Sequence, residues 1–99
     1  MAALTKRDIL TRRHEIVRVA RENGAADIRL FGSVARGEAE PASDVDFLVT
    51  PAAVTPPFFP GGLIVALEDL LGCDVQVTLD SPRLSERLRR SIQRDLVPL

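Results

Sequence analysis

The sequence predicts an α+β (α/β) domain: a small mixed three-stranded sheet covered by helices on one side. Segments of helical and of strand periodicity alternate along the chain in the order helix, strand, short helix, strand, helix, strand, helix. The strand segments are short and bounded by Gly, Pro and Asp. Of the 99 residues, 45% are hydrophobic, which suits one core, so residues 1–99 are expected to form a single domain.

The first helix is expected to begin at Thr5, where T-K-R-D places Asp8 at the third helical position as a capping-box partner. Ile9, Ile16 and Ala20 form one stripe, with Leu10 and Val17 beside it, and Gly24 offers a left-handed stop. Residues 27–31 alternate as a strand, with Ile28 and Leu30 facing one way and Arg29 and Phe31 the other. A Gly32-Ser33 turn and a short helix follow. Residues 44–49 form the second strand, in which Val45, Phe47 and Val49 oppose Asp44, Asp46 and Leu48.

The stretch P-A-A-V-T-P-P-F-F-P-G-G, residues 51–62, holds four of the seven prolines and predicts a structured loop. Phe58 and Phe59 are expected to pack that loop onto the body. A helix over 63–71 carries Leu63, Leu67, Leu70 and Leu71 and stops at Gly72. Residues 74–79 alternate as a third strand, Val75, Val77 and Leu79 inward, Asp74, Gln76 and Thr78 on the other face. Ser81-Pro82 reads as the start of the last helix, whose buried edge is Leu84, Leu88 and Ile92.

The chemistry concentrates between residues 28 and 50. Asp44 and Asp46, at i and i+2 of a strand, stand on one face. Two carboxylates about 5 Å apart repel by roughly 1 kcal/mol in water and about 3 at a surface-like dielectric. A cation relieves that repulsion, and hard oxygen ligands suit Mg²⁺ or Mn²⁺, above all an ion that also holds nucleotide phosphates. Ten residues upstream, Gly32 permits a tight turn and close backbone approach, while Ser33 and the amides after it can face phosphate. Arg36 lies in the same turn. Its guanidinium suits either a phosphate oxygen or a tie to Glu38 or Glu40.

Other candidates are weaker. His14, the only histidine, sits among Arg12, Arg13 and Glu15 on a helix and reads as solvated. Cys73, the only cysteine, has no histidine near it, rules out an intramolecular disulfide and fits a small core residue in a reducing compartment. A net charge of −1 disfavours a long nucleic-acid partner. No run of about 18 apolar residues and no leader pattern is present, so a soluble, cytoplasmic protein with no membrane contact is expected.

With Arg36-Gly37 inside it and Ser43 just before the first acid, the pattern G-S-x10-D-x-D resembles the minimal nucleotidyltransferase family. These are small relatives of DNA polymerase beta-type transferases, often the antitoxin partners of HEPN-domain ribonuclease toxins. The likeness extends to the helix end R-E-N-G, the helix end L-E-D-L-L-G and the closing L-V-P-L. It implies the nucleotidyltransferase fold, with Asp44 and Asp46 as catalytic metal-binding acids and Gly32, Ser33, Arg36 and Ser43 as nucleotide-binding residues. The family usually carries a third carboxylate on the last strand. Here L-L-G-C-D-V-Q-V-T puts Gln76 at that position, with Asp74 two residues away, about 7 Å by strand geometry.

The function this implies is a Mg²⁺-dependent transfer of a nucleoside monophosphate from an NTP, ATP in the first instance, to a protein hydroxyl (AMPylation), by the antitoxin of a HEPN-type toxin. The alternative, which Gln76 favours, is a catalytically impaired nucleotide-binding antitoxin or regulator that acts by binding its partner. Either reading is compatible with a homo- or hetero-oligomer.

Overall fold

A computed structural model describes residues 4–99; the first three residues of the expected 1–99 domain lie outside the described residues. Five helices and four strands follow in the order α1 (Lys6–Thr11), α2 (Arg13–Glu22), β1 (Ala25–Phe31), α3 (Gly32–Arg36), β2 (Val45–Pro51), α4 (Gly61–Leu71), β3 (Val75–Leu79), α5 (Glu86–Asp95) and β4 (Val97–Pro98). The Thr5 cap forms as expected: its hydroxyl accepts from the Asp8 amide at 3.1 Å, and Asp8 accepts from the Thr5 amide at 2.9 Å. The predicted single first helix is two, interrupted at Arg12. The apolar stripe runs on across the break, since Ile9, Ile16 and Ala20 are all buried.

The sheet has four strands, not three, in the order β3-β2-β1-β4. The additional strand is the closing Val97–Pro98, antiparallel to β1 with Leu30 opposite Val97. Two residues are too few to show a period of two. A proline there is tolerated because β4 is an edge strand, where its missing N–H breaks no inner ladder. β1 and β2 are antiparallel, while β2 and β3 are parallel and joined through α4.

One sheet face builds the core. Ile28 and Leu30 of β1 lie directly opposite Val49 and Phe47 of β2, and Val45 lies beside Val75 of β3. These side chains pack with Ile9 of α1, Ile16 and Ala20 of α2, Val34 of α3 and Leu63, Leu67 and Leu71 of α4. The other face carries Arg29, Phe31, Asp46, Leu48, Gln76 and Thr78. α5 covers part of it: Leu48 and Ile92 are buried outside the main core and share a cleft with Arg29 and Leu96. The helices are therefore on both faces, with α1, α2 and α4 on one and α5 on the other.

The last helix starts at Ser85, not Ser81. Ser85 accepts from the Leu88 amide at 3.2 Å, whereas Pro82 and Arg83 form a turn. In the 51–62 loop only Phe59 packs against the core; Phe58 is 94% exposed and takes a left-handed backbone at φ 61°. Gly24 explains the difference. It sits at φ 100° and a side chain there would run into Phe59 and Pro56, so the first helix stop is also the seat of the loop.

α5 is fastened by charge as well as by packing. Asp80 accepts from Arg89 Nη1 at 2.7 Å and from Arg29 Nη2 at 3.1 Å, and Arg29 also donates to Thr50 at 2.9 Å. Hydrogen bonds from Arg89, and then from Arg29, hold the Asp80 carboxyl below its ordinary value. Such a group adds stability above the unfolded carboxylate value of about 3.9 and loses it as pH falls through the folded value. Asp80→Asn should therefore lower stability at pH 7 by about 1–2 kcal/mol. The deficit should shrink below about pH 4, as checked by denaturant midpoints across pH. A deficit independent of pH would contradict the ion network.

Candidate functional site

The candidate site lies at one end of the half-open sheet face. β1 ends at Phe31, directly opposite Asp46 of β2, and the chain turns at once into α3. Gly32 makes that turn at φ 80°, a conformation side chains rarely adopt. A Cβ on Gly32 would collide with Asp46 Oδ2 and lie 3.1 Å from its Cγ. The backbone of the Gly-Ser turn thus rests against the carboxylate of Asp46. The two halves of the motif, ten residues apart in sequence, meet here.

Asp44 immediately precedes β2, whose first amide, Val45, donates to the Asp74 carbonyl at 3.0 Å. Asp46 is half-buried. Burial raises its carboxyl above the ordinary value, the negative charge of Asp44 raises it further, and Arg36 offsets part of the effect. None of the ion pairs among the described residues includes Asp44 or Asp46. Two neighbouring carboxylates outside any ion pair are hard oxygen donors that suit a divalent cation whose other ligands are phosphate and water oxygens, so the residues present fit such an ion.

Gln76 lies directly across from Asp46 in the β2–β3 ladder and is exposed. The ladder therefore places Gln76 next to Asp46 on the same face of the sheet. Among the described residues no three of His, Cys, Asp or Glu converge on a common point.

Ser33 follows Gly32 in α3, half-buried, and its carbonyl accepts from the Glu38 amide at 2.9 Å. Arg36 is exposed and clamped, its Nε donating to Glu38 Oε2 at 2.9 Å and its Nη1 to Asp95 Oδ2 at 2.8 Å. Those bonds, Glu38 first, raise its already high pKa, so it stays charged. The tie to Glu38 was one of the two roles expected for it. The tie to Asp95 spans 59 residues and has no local sequence signal. Ser43 closes the loop before Asp44: its hydroxyl accepts from the Glu40 amide and its own amide donates to the Glu40 carbonyl, both at 2.9 Å.

Of the weaker candidates, His14 is exposed on α2. Cys73 is half-buried beside a cavity of about 170 Å³ lined in part by Leu4, Val34, Ser43 and Leu71. Burial pushes its thiol up, and Asp74, Glu68 and Asp44 push it further, so it remains a protonated thiol and a poor nucleophile.

The acid pair carries a stability cost. With Asp46 raised above its unfolded value, its stabilising contribution is complete below about pH 3.9 and is lost as pH rises through the folded value. Asp46→Asn should therefore melt at a higher temperature than wild type at pH 7, with the gain fading as pH falls toward 4. A variant less stable than wild type at neutral pH would contradict the repulsion argument.

Residues 13–96 match the family model described as the nucleotidyltransferase domain. No curated protein matches this sequence. Among solved structures, one assigned as a minimal nucleotidyltransferase is 35% identical, with a TM-score of 0.81 and 97% of each chain covered. A toxin–antitoxin structure with AMP-PNP is 24% identical at a TM-score of 0.70, covering 86% of this chain and 69% of that one. The complex of the tri-AMPylated Shewanella oneidensis HEPN toxin with its MNT antitoxin is 21% identical at a TM-score of 0.65, covering 90% and 69%. At those lower identities the likeness is one of fold. The match over 84 of 99 residues (13 to 96 inclusive), together with the 35% identity along nearly the whole chain, shows that this chain belongs to the nucleotidyltransferase domain family, among its minimal members.

Proposed function

We propose that this chain transfers a nucleoside monophosphate from an NTP, with ATP the first candidate, to a protein hydroxyl, and that it serves as the cytoplasmic antitoxin of a HEPN-type toxin. The observation that carries the reading is the Gly32 turn resting on Asp46, with Asp44 beside it and neither acid paired. Structures of the same fold, one a toxin–antitoxin with AMP-PNP and one an MNT antitoxin with a tri-AMPylated HEPN toxin, support the partner and the nucleotide.

In this reading Asp44 and Asp46 would hold Mg²⁺ or Mn²⁺ together with the triphosphate. Bound there, the ion would neutralise phosphate charge and orient the donor. Gly32 lets the backbone come close without a side chain intervening, and the Ser33 hydroxyl and nearby amides hold the β and γ phosphates. Arg36, permanently charged, adds a phosphate contact. Ser43 sets the approach of the loop to Asp44. The acceptor hydroxyl oxygen attacks the α-phosphorus in line, the bond from that phosphorus to the oxygen bridging to the β-phosphate breaks, pyrophosphate leaves and the hydroxyl proton passes to solvent, while the site contributes position and charge. Gln76 brings no negative charge and cannot take a proton near pH 7.

That last point favours a second reading, an antitoxin that binds nucleotide and partner but transfers slowly or not at all. Purified protein with Mg²⁺, labelled ATP and its HEPN-type partner, read by intact mass, separates the two. The enzyme reading predicts a gain on the partner of one or more nucleoside monophosphates, lost in Asp44→Asn/Asp46→Asn. General-base help is worth roughly 10²–10⁴-fold, so Gln76→Asp should raise the rate by up to that factor. Nucleotide binding with no transfer in wild type or Gln76→Asp selects the binding reading. Absence of nucleotide binding would overturn both.

A further inference from the structure

The acid at the end of α5 has no place in that scheme, yet its geometry ties it to the site. Asp95 is the last residue of α5, where a carboxylate faces the negative end of the helix dipole. It is nonetheless well covered, its side chain 18% exposed, and its one hydrogen-bond partner among the described residues is Arg36. Arg36 stands four residues beyond Gly32 on α3, which packs against α5, and its charge reaches Asp46. Two carboxylates grip its head, Glu38 at Nε and Asp95 at Nη1, and leave Nη2 without a partner among the described residues. Glu38 is 65% exposed, and so gives the looser grip. A long side chain otherwise free over several rotors is thereby held in one place with donors to spare.

We propose that Asp95 is a positioning residue: through Arg36 Nη1 it holds the guanidinium where its remaining N–H groups receive a phosphate oxygen of the bound triphosphate. This rests on the nucleotide-binding reading above. A plain tie between α5 and α3 would also use this ion pair, but it would act on stability alone. A positioning role acts on nucleotide affinity, and only while Arg36 is present.

The test is calorimetry of a non-hydrolysable Mg·ATP analogue with wild type, Asp95→Asn, Asp95→Glu, Arg36→Gln and the Asp95→Asn/Arg36→Gln double variant, each first shown folded by thermal melting. Asp95→Asn should weaken binding about 3- to 10-fold, and should weaken it no further once Arg36→Gln is in place. Asp95→Glu, which keeps the charge at a longer reach, should lie between wild type and Asp95→Asn. Unchanged affinity in Asp95→Asn, or an equal loss with and without Arg36, would overturn the positioning role while leaving the proposed function standing. Failure of wild type to bind the analogue would remove the proposed function, and this role with it.

Discussion

Two carboxylates of like charge sit at the head of a central strand, both half-buried, and neither joins an ion pair among the described residues, the charge of Arg36 offsetting only part of the cost at Asp46. Left alone, such a pair would be relieved by a shift of the strand or rotation of the side chains into solvent. The surroundings hold Asp46 against both. The β1 ladder fixes Asp46 opposite Phe31, the β3 ladder fixes it beside Gln76, and the glycine turn closes over its carboxylate. The repulsion is thus held in place by backbone hydrogen bonds and by a core that resists rearrangement. Like charge retained in this way is characteristic of functional sites.

The rest of the molecule can be understood as support for that end of the sheet. Phe47, fully buried between the two acids' strand and the helices, locks the register of β2, because a slip by one residue would turn Asp46 inward and Phe47 out. α5, fastened to the sheet by Asp80 with Arg29 and Arg89, covers the Leu48 end of the face and leaves the Asp46 and Gln76 end accessible. No helix among the described residues is long and apolar enough to cross a membrane.

Much of this could be read from the residues themselves. The alternation of Ile28, Leu30, Val45, Phe47 and Val49 is strict, so strand faces and the side carrying the acids were accessible from period alone. The Gly32-Ser33 and Asp44, Asp46 halves are each local, and their spacing across one turn and loop implied that they meet. Three things were not accessible. Val97–Pro98 is too short to show a period and owes its strand state to the β1 edge. Phe58 looks like a core residue in composition, but the seat beside Gly24 holds one aromatic ring, and Phe59 takes it. Ser81-Pro82 and Ser85 are both plausible helix starts, and the choice falls to Ser85 because the chain first turns to place Asp80 between two arginines. The Arg36–Asp95 pair, 59 residues apart, is a product of tertiary packing that no local pattern announces.

The proposed cation between Asp44 and Asp46, held together with a nucleotide, is read most directly by paramagnetic broadening with Mn²⁺. In amide spectra of the folded protein, trace Mn²⁺ with an ATP analogue should broaden the signals of Gly32, Ser33, Val45, Asp46 and Gln76 first. The broadening should be much weaker without the nucleotide and should be absent in Asp44→Asn/Asp46→Asn. Broadening centred elsewhere, or an identical pattern in the double variant, would contradict the account.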